Sequence, residues 1–394
     1  MNFICHLDFV IGNLKTMSKV ITLPGLVDPH VHFRTPGAEY KEDFVTGAVA
    51  ALAGGISCVL DMPNTNPPTI THNDLGWKKD KVKNSKIQFG FHFGATEDNL
   101  DEIKKVSLDK ARDKESDIAS IKVFFGSSTG NLLVNNLEYL EKLMRKTTKI
   151  ITVHAEDEEI IQKNIAKYKG REKPGIHSKI RSPEAAASAV DKLLNLVRKT
   201  NHPVYFCHIS TKEEVDLIKN AKKEGLPVFA EVTPHHLFLD TSAYKKWGNF
   251  VKVNPPLRSK EDQKALWDAI NDGTIDTIGS DHAPHLPKEK KVDYWNAPSG
   301  IPGVETTLPL MLDAINKKML TIDRLVELMS TNQEKIFGLD LKGSETTIDL
   351  GLIRDVKISD LHSKCEWNPY EEMELTGWPV ETKVLGKTMY QMLR

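Results

Sequence analysis

Leu26-Val27-Asp28-Pro29-His30-Val31-His32 is a short apolar run that ends in two histidines, and its reading decides the fold. Runs of this length and composition read as β-strands. Seven more follow, at 57–62, 88–94, 120–125, 149–154, 204–209, 228–233 and 274–280, the first being 26–30. Longer segments with helical periodicity separate them, which is the pattern of parallel βα units. Readable caps support the helices: Ser210 with Glu213 as a capping box, and Ser182 with Pro183 at the first helical position. Eight such units in succession predict an α/β fold, a (β/α)8 barrel spanning 26–344.

The ends differ from the middle. Strand-like runs at 7–11 and 19–23 precede the barrel, and the tail from Glu345 alternates like β structure, as at 373–375 and 382–385. These ends, 1–25 and 345–394, are expected to pair into a small β side domain. The stretch 288–303, KEKKVDYWNAPSGIPG, is charged and then rich in Pro and Gly, as expected of a long loop after the eighth strand.

Composition narrows the function. The chain has 394 residues and 53 Lys+Arg against 54 Asp+Glu, a formal charge of −1. Nucleic-acid binders concentrate positive charge, whereas the Lys-rich stretch 219–224 reads as a solvated helix face. No apolar run approaches the ~18 residues of a membrane span. The first eleven residues are interrupted by His6 and Asp8, with no basic start and no small-residue cleavage site, so a cytoplasmic protein is expected. Cys5, Cys58, Cys207 and Cys365 form no CxxC pair, so neither a disulfide framework nor a thiolate zinc site is expected.

Histidines remain as metal ligands. His30 and His32, at i and i+2 on an extended chain, project to one side and can meet one ion. Other strands end similarly: His154 closes ITVH, His208 closes VYFCH, and Asp281 follows DTIGS. Strand ends in a barrel converge on one rim, where barrel catalysis sits. Four imidazoles and a carboxylate suit zinc and exceed what one tetrahedral ion needs, which points to two ions sharing an anionic bridge. Lys122, in the inward phase of the fourth strand, reads either as an amine snorkelling to the rim or as a carbamate formed with carbon dioxide, an anion able to bridge. Arg34, in phase with His30 and His32, reads either as a rim salt bridge or as a bidentate grip on an anionic group. Cys207 is expected to point to the other face of its strand, as a buried small hydrophobe.

These motifs together resemble the dihydroorotase family of the amidohydrolase superfamily. LPGLVDPHVHFRTPG, DMPNTNPPT, KVFFGSST, VHAE, CHIST, EVTPHHL, NPPLR, SDHAPH and SGIPGVET follow in that family's order across 23–339. The resemblance implies two zinc ions: His30, His32 and Asp281 on the first, His154 and His208 on the second, and carboxylated Lys122 between them. Some bacterial relatives use an aspartate just after the fourth strand instead, but Phe125-Gly126-Ser127-Ser128 supplies none here. Many relatives carry a longer N-terminal β-sandwich, so the side domain is expected to be small. The resemblance gives Asn64 and His285 a share in carboxylate binding, and Asn254 and the backbone at Pro302-Gly303 a contact to the ring. Ser128-Thr129-Gly130, small and flexible, read as a mobile loop over the substrate. His235 and His236 are not zinc ligands in the family and read as packing groups or as supports behind the ligands.

The implied reaction is the reversible cyclisation of N-carbamoyl-L-aspartate to L-dihydroorotate and water, in pyrimidine (UMP) biosynthesis. A hydroxide between two divalent ions is available at neutral pH, and Asp281 acts as general base and then acid. A homodimer is expected by family analogy, and an aspartate transcarbamoylase partner stays open. The closest rival is another cyclic-amide hydrolase, a dihydropyrimidinase, hydantoinase or allantoinase; Arg34 argues against it, because those rings offer no matching carboxylate. A non-catalytic scaffold is a further rival, against which all six expected ligand positions are filled.

Overall fold

Two sheets organise the chain in the computed structural model, which describes residues 19–108, 118–127 and 132–392. The first strand, β1 (Val20–Pro24), belongs to the smaller sheet. The next eight form the larger one: β2 (Leu26–Val31), β3 (Ile56–Asp61), β4 (Gln88–Gly94), β5 (Ile118–Phe125), β6 (Ile151–Ala155), β7 (Val204–Phe206), β8 (Val228–Val232) and β9 (Thr277–Ile278). Each pairs in parallel with the next. The seam between β9 and β2 is bridged at Val31 and His282, where His32 N–H donates to the His282 carbonyl at 2.8 Å. Asp28 Oδ1 reinforces the seam by accepting from Ser280 N–H at 3.0 Å. The fold is the expected (β/α)8 barrel.

Alternation along each strand builds its layers. Ile121 and Val123 of β5, Ile151 and Val153 of β6, and Val204 and Phe206 of β7 pack outward into the main core with the helices. Their neighbours Ser120, Lys122, Thr152 and Tyr205 take the inward phase. Inside, Val27, Leu60, Ala119, Ile150 and Tyr205 pack with Phe337 and Leu341 as an apolar plug. A polar layer lies next to it: His92 bonds Ser120 Oγ at 2.6 Å and the Pro29 carbonyl at 2.9 Å.

Strands β7 and β9 are shorter than the sequence suggests, because the chain leaves extended geometry before the histidine and aspartate that follow them. The capping box also shifts by one residue. Thr211 is the N-cap and Glu214 its partner, since the Glu214 carboxylate accepts from the N–H and hydroxyl of both Ser210 and Thr211, while Glu213 faces solvent. Ser182 caps the helix Pro183–Thr200 as expected.

The smaller sheet is antiparallel, in the order β1-β10-β11-β12, with β10 (Glu345–Asp355), β11 (Glu374–Val384) and β12 (Lys387–Gln391). The two tail runs at 373–375 and 382–385 belong largely to one strand, β11, rather than two. The sheet docks on the first barrel helix, Phe44–Ala53, through Thr346 Oγ1 to the Gly55 carbonyl at 2.7 Å and Thr382 Oγ1 to the Leu52 carbonyl at 2.8 Å. Gly55 has φ 82°, and a Cβ there would meet Leu308 at 2.6 Å and Thr346 at 2.9 Å, so only glycine fits this junction. The run at 7–11 lies outside the described residues. Among the described residues no helix is long and apolar enough to cross a membrane.

Candidate active site

The C-terminal ends of the barrel strands surround a cavity. Its lining includes His30, His32, Lys122, His154, His208 and Asp281, brought together from five separate segments, with Arg34, Asn64 and Asn254 at the same cavity. Val31 packs outward into the main core, so His30 and His32 on either side of it both turn inward. His208 and Asp281, just beyond β7 and β9, have φ 35° and 47°, and Arg34 has φ 59°. Left-handed backbone at a non-glycine residue costs about 1–3 kcal/mol, and here it swings each side chain back over the rim.

The nitrogen atoms converge. His30 Nε2 and His32 Nε2 lie 3.3 and 3.1 Å from the same oxygen, Asp281 Oδ1. Across the cavity His154 Nδ1 lies 3.1 Å from His208 Nε2. Burial holds His154 and His208 below the ordinary imidazole range and His32 at about 4, so these rings keep free lone pairs at neutral pH. Burial pushes the Asp281 carboxyl up, but His30, His32 and His208 pull it well below the carboxylate range, so it stays ionised. Burial also opposes protonation of His30, an effect that the carboxylates of Glu231 and Asp281 more than reverse. Lone pairs aimed at one another, with an ionised carboxylate between, form a donor set that fits divalent metal ions.

Lys122 is 1% exposed. Its Nζ donates to Cys207 Sγ at 2.9 Å, and among the described residues it forms no ion pair. This corrects the expected orientation of Cys207, which points into the barrel. Tyr205 and Cys207 share the inward phase, and the left-handed turn at His208 brings the next side chain inward as well.

Arg34 is anchored through Nε to the Pro284 carbonyl at 3.1 Å, and its Nη2 lies 3.0 Å from His285 Nε2. Burial lowers it only to about 10, so it remains a cation. Asn64 Oδ1 meets His32 Nδ1 at 2.8 Å. Asn254 Oδ1 accepts from Ser299 Oγ at 3.1 Å and lies 2.9 Å from His177 Nε2. Pro302 and Gly303 line a neighbouring cleft with His282 instead, and Ser299 and Gly300 take the expected place at the cavity. The reason is Lys290, fully buried, whose Nζ donates to the carbonyls of Pro298 and Gly300 at 2.8 and 2.9 Å and folds the 288–303 loop inward. Ser128, Thr129 and Gly130 lie outside the described residues.

Comparison with known proteins agrees with this geometry. The model of the Amidohydrolase family matches residues 21–349. Curated relatives named dihydroorotase include that of Methanosarcina mazei, 40% identical over 389 residues (94% of this chain, 84% of that protein). That of Pyrococcus furiosus is 37% identical over 382 residues (94% and 81%). The chain belongs to the dihydroorotases of the amidohydrolase family. Among solved structures, L-hydantoinase (dihydropyrimidinase) from Arthrobacter aurescens superposes with a TM-score of 0.88 at 29% identity, covering 95% of this chain and 87% of its own.

Two carboxylates at this amidohydrolase site escaped the sequence reading. Glu231 is fully buried; its Oε1 lies 2.8 Å from His30 Nδ1 and accepts from His208 N–H at 3.0 Å, while Oε2 accepts from Tyr205 at 2.8 Å. Glu156, also fully buried, lies 3.1 Å from His154 Nε2 and pairs with Arg181. An available signal was an acid in the inward phase of the run at 228–233. His236 packs against Thr233 and the Pro255 carbonyl, at 2.7 and 3.1 Å.

Proposed function

We propose that this chain interconverts N-carbamoyl-L-aspartate and L-dihydroorotate, with two zinc ions held by His30, His32 and Asp281 on one side and by His154 and His208 on the other. The observation that carries the choice of substrate is Arg34, a buried guanidinium at the cavity that also holds the metal-ligand types, Lys122, Asn64 and Asn254. A guanidinium buried there without an anion is costly, and a substrate carboxylate compensates it. Two divalent ions held by this set would supply an activated water at neutral pH and polarise a bound carbonyl.

The chain's own residues supply the rest. Lys122 Nζ would add to carbon dioxide and lose a proton, giving a carbamate anion that would help to hold the two ions. The reading is supported by an amine that is buried, lacks an acidic partner among the described residues and lies beside the His154–His208 pair. Asp281 takes a proton from water in the hydrolytic direction and returns it to the ring nitrogen as the carbon–nitrogen bond breaks. Arg34, with Asn64 and His285 beside it, holds the substrate carboxylate and so orients the ring. Ring closure consumes a carboxylate and a proton, so acid pH favours synthesis and alkaline pH favours hydrolysis.

Assay of L-dihydroorotate against hydantoin, dihydrouracil and allantoin tests the reading. Dihydroorotate should be preferred, and Arg34→Met should raise its KM about 10- to 100-fold. Preferential turnover of an uncharged ring would assign the chain to its structural neighbours' chemistry instead.

A further inference from the structure

Outside the metal set, the most constrained side chain near the cavity is His285. It is 2% exposed and has cations at both ring nitrogens: Lys41 Nζ lies 3.1 Å from Nδ1 and Arg34 Nη2 lies 3.0 Å from Nε2. The Ser299 carbonyl is 3.1 Å from Nε2 as well. Lysine and arginine side chains only donate, whereas a neutral imidazole offers one N–H and one lone pair. Both cations cannot be answered at once. The Ser299 carbonyl breaks the tie, because it needs the proton on Nε2. Nδ1 then accepts from Lys41, and Arg34 Nη2 is left facing another donor.

Lys41 is itself held in place. Its Nζ is 3.0 Å from Glu289 Oε1. That carboxylate also accepts from the Tyr40 hydroxyl at 3.0 Å and from Leu286 N–H at 2.8 Å. The pair connects the segment after Arg34 to the loop that carries His285.

We propose that Lys41 is a positioning residue for recognition of the substrate carboxylate: with the Ser299 carbonyl it keeps the proton of His285 on Nε2, so that this N–H, shared with that carbonyl, and Arg34 Nη2 form two converging donors that an anionic oxygen satisfies together. With the opposite tautomer, the Nε2 lone pair would accept from Arg34 Nη2 and leave the cradle one donor short. The inference rests on the reading of Arg34 and His285 as carboxylate ligands. It adds a residue that never touches substrate, and it explains why a second cation, Lys41, sits behind the histidine rather than in the cavity.

The test is Lys41→Met in the metal-loaded enzyme. The KM for dihydroorotate should rise about 10- to 100-fold, as for loss of one charge-assisted hydrogen bond, with kcat within about threefold. Metal content should be unchanged, turnover of hydantoin should not fall, and Lys41→Arg should recover most of the loss. In a His285→Gln background Lys41→Met should cost nothing further. Equal losses in both backgrounds, or a fall in kcat at constant KM, would overturn the proposal. A second readout needs no variant at position 41: heteronuclear NMR of the histidine-labelled enzyme, with His285 assigned by its loss in His285→Gln, should show the proton on Nε2. A proton on Nδ1 overturns it. The parent reading fails separately, if the unsubstituted enzyme ignores dihydroorotate; if Arg34→Met raises KM and Lys41→Met does not, only the present inference fails.

Discussion

Glu231 shows how one buried side chain can set up a whole site. Its Oε1 is shared by the His30 ring, at 2.8 Å, and the His208 backbone N–H, at 3.0 Å, so it ties together the two halves of the proposed ligand set. A carboxylate on the far nitrogen of a ligating imidazole fixes the tautomer and raises the basicity of the near nitrogen, and loss of such a partner typically costs 10–100-fold in metal affinity. Glu231→Gln keeps the shape and removes the charge. We therefore expect metal affinity, measured by competition with a chromogenic chelator, to fall about 10- to 100-fold with little change in fold; unaltered affinity would reduce Glu231 to a packing role. The side chains that sequence left hidden are of this kind. His30, His32, His154, His208 and Asp281 are legible because they close strands, whereas Glu231 sits within one and its partner is 201 positions away. Cys207 was misjudged because alternation holds only while the backbone stays extended, and nothing in CHIST announces that His208 adopts φ 35°.

At the level of elements, the barrel was readable because eight apolar runs alternate with capped helices, while the ends of those runs were not. The rim is where strand geometry gives way, and there buried ion pairs fix the chain. Arg181, from the turn before the helix Pro183–Thr200, reaches Glu156 beyond β6 and the Ser127 carbonyl beyond β5. Burial pushes the Glu156 carboxyl up, but Arg181 and His154 bring it down to about 2. A folded-state pKa below the unfolded value stabilises the fold above about pH 4.5, and that contribution is lost as pH falls toward 2. Arg181→Met leaves the carboxylate buried without its cation, a loss of about 3–5 kcal/mol near neutral pH. In the variant the folded pKa rises, so the sign reverses: the deficit should shrink as pH is lowered from 7.5 to 5, because protonation removes the unpaired charge. Urea denaturation of both proteins at the two pH values measures this, and a deficit independent of pH would mean that Arg181 acts through packing alone.

For the whole molecule, the proposed ligand set and the barrel seam coincide. The set draws on β2, β5 and β6 and on the turns after β7 and β9, and the strand that must close the barrel, β9, is two residues long. The Val31–His282 bridge and the hydrogen bonds from His32 N–H to the His282 carbonyl, from Ser280 N–H to Asp28 and from Ser280 Oγ to the His30 carbonyl tie the segment after β9 to β2. Ions gripped by His30, His32 and Asp281 would tie the two sides of this seam, so the proposed metal should support the fold as well as the chemistry. A ligand that binds only the folded state at 1,000 times its Kd stabilises by about 4 kcal/mol, which for a chain of this size predicts a fall in Tm of about 5 °C on chelation. The location of the loss is the sharper expectation. Hydrogen exchange should quicken at 30–34 and 280–283 when metal is removed, while β10 and β11, whose pairing lies in the other sheet, should keep their protection. Acceleration spread evenly over both sheets, or none at the seam, would show that the metal serves catalysis without holding the barrel closed.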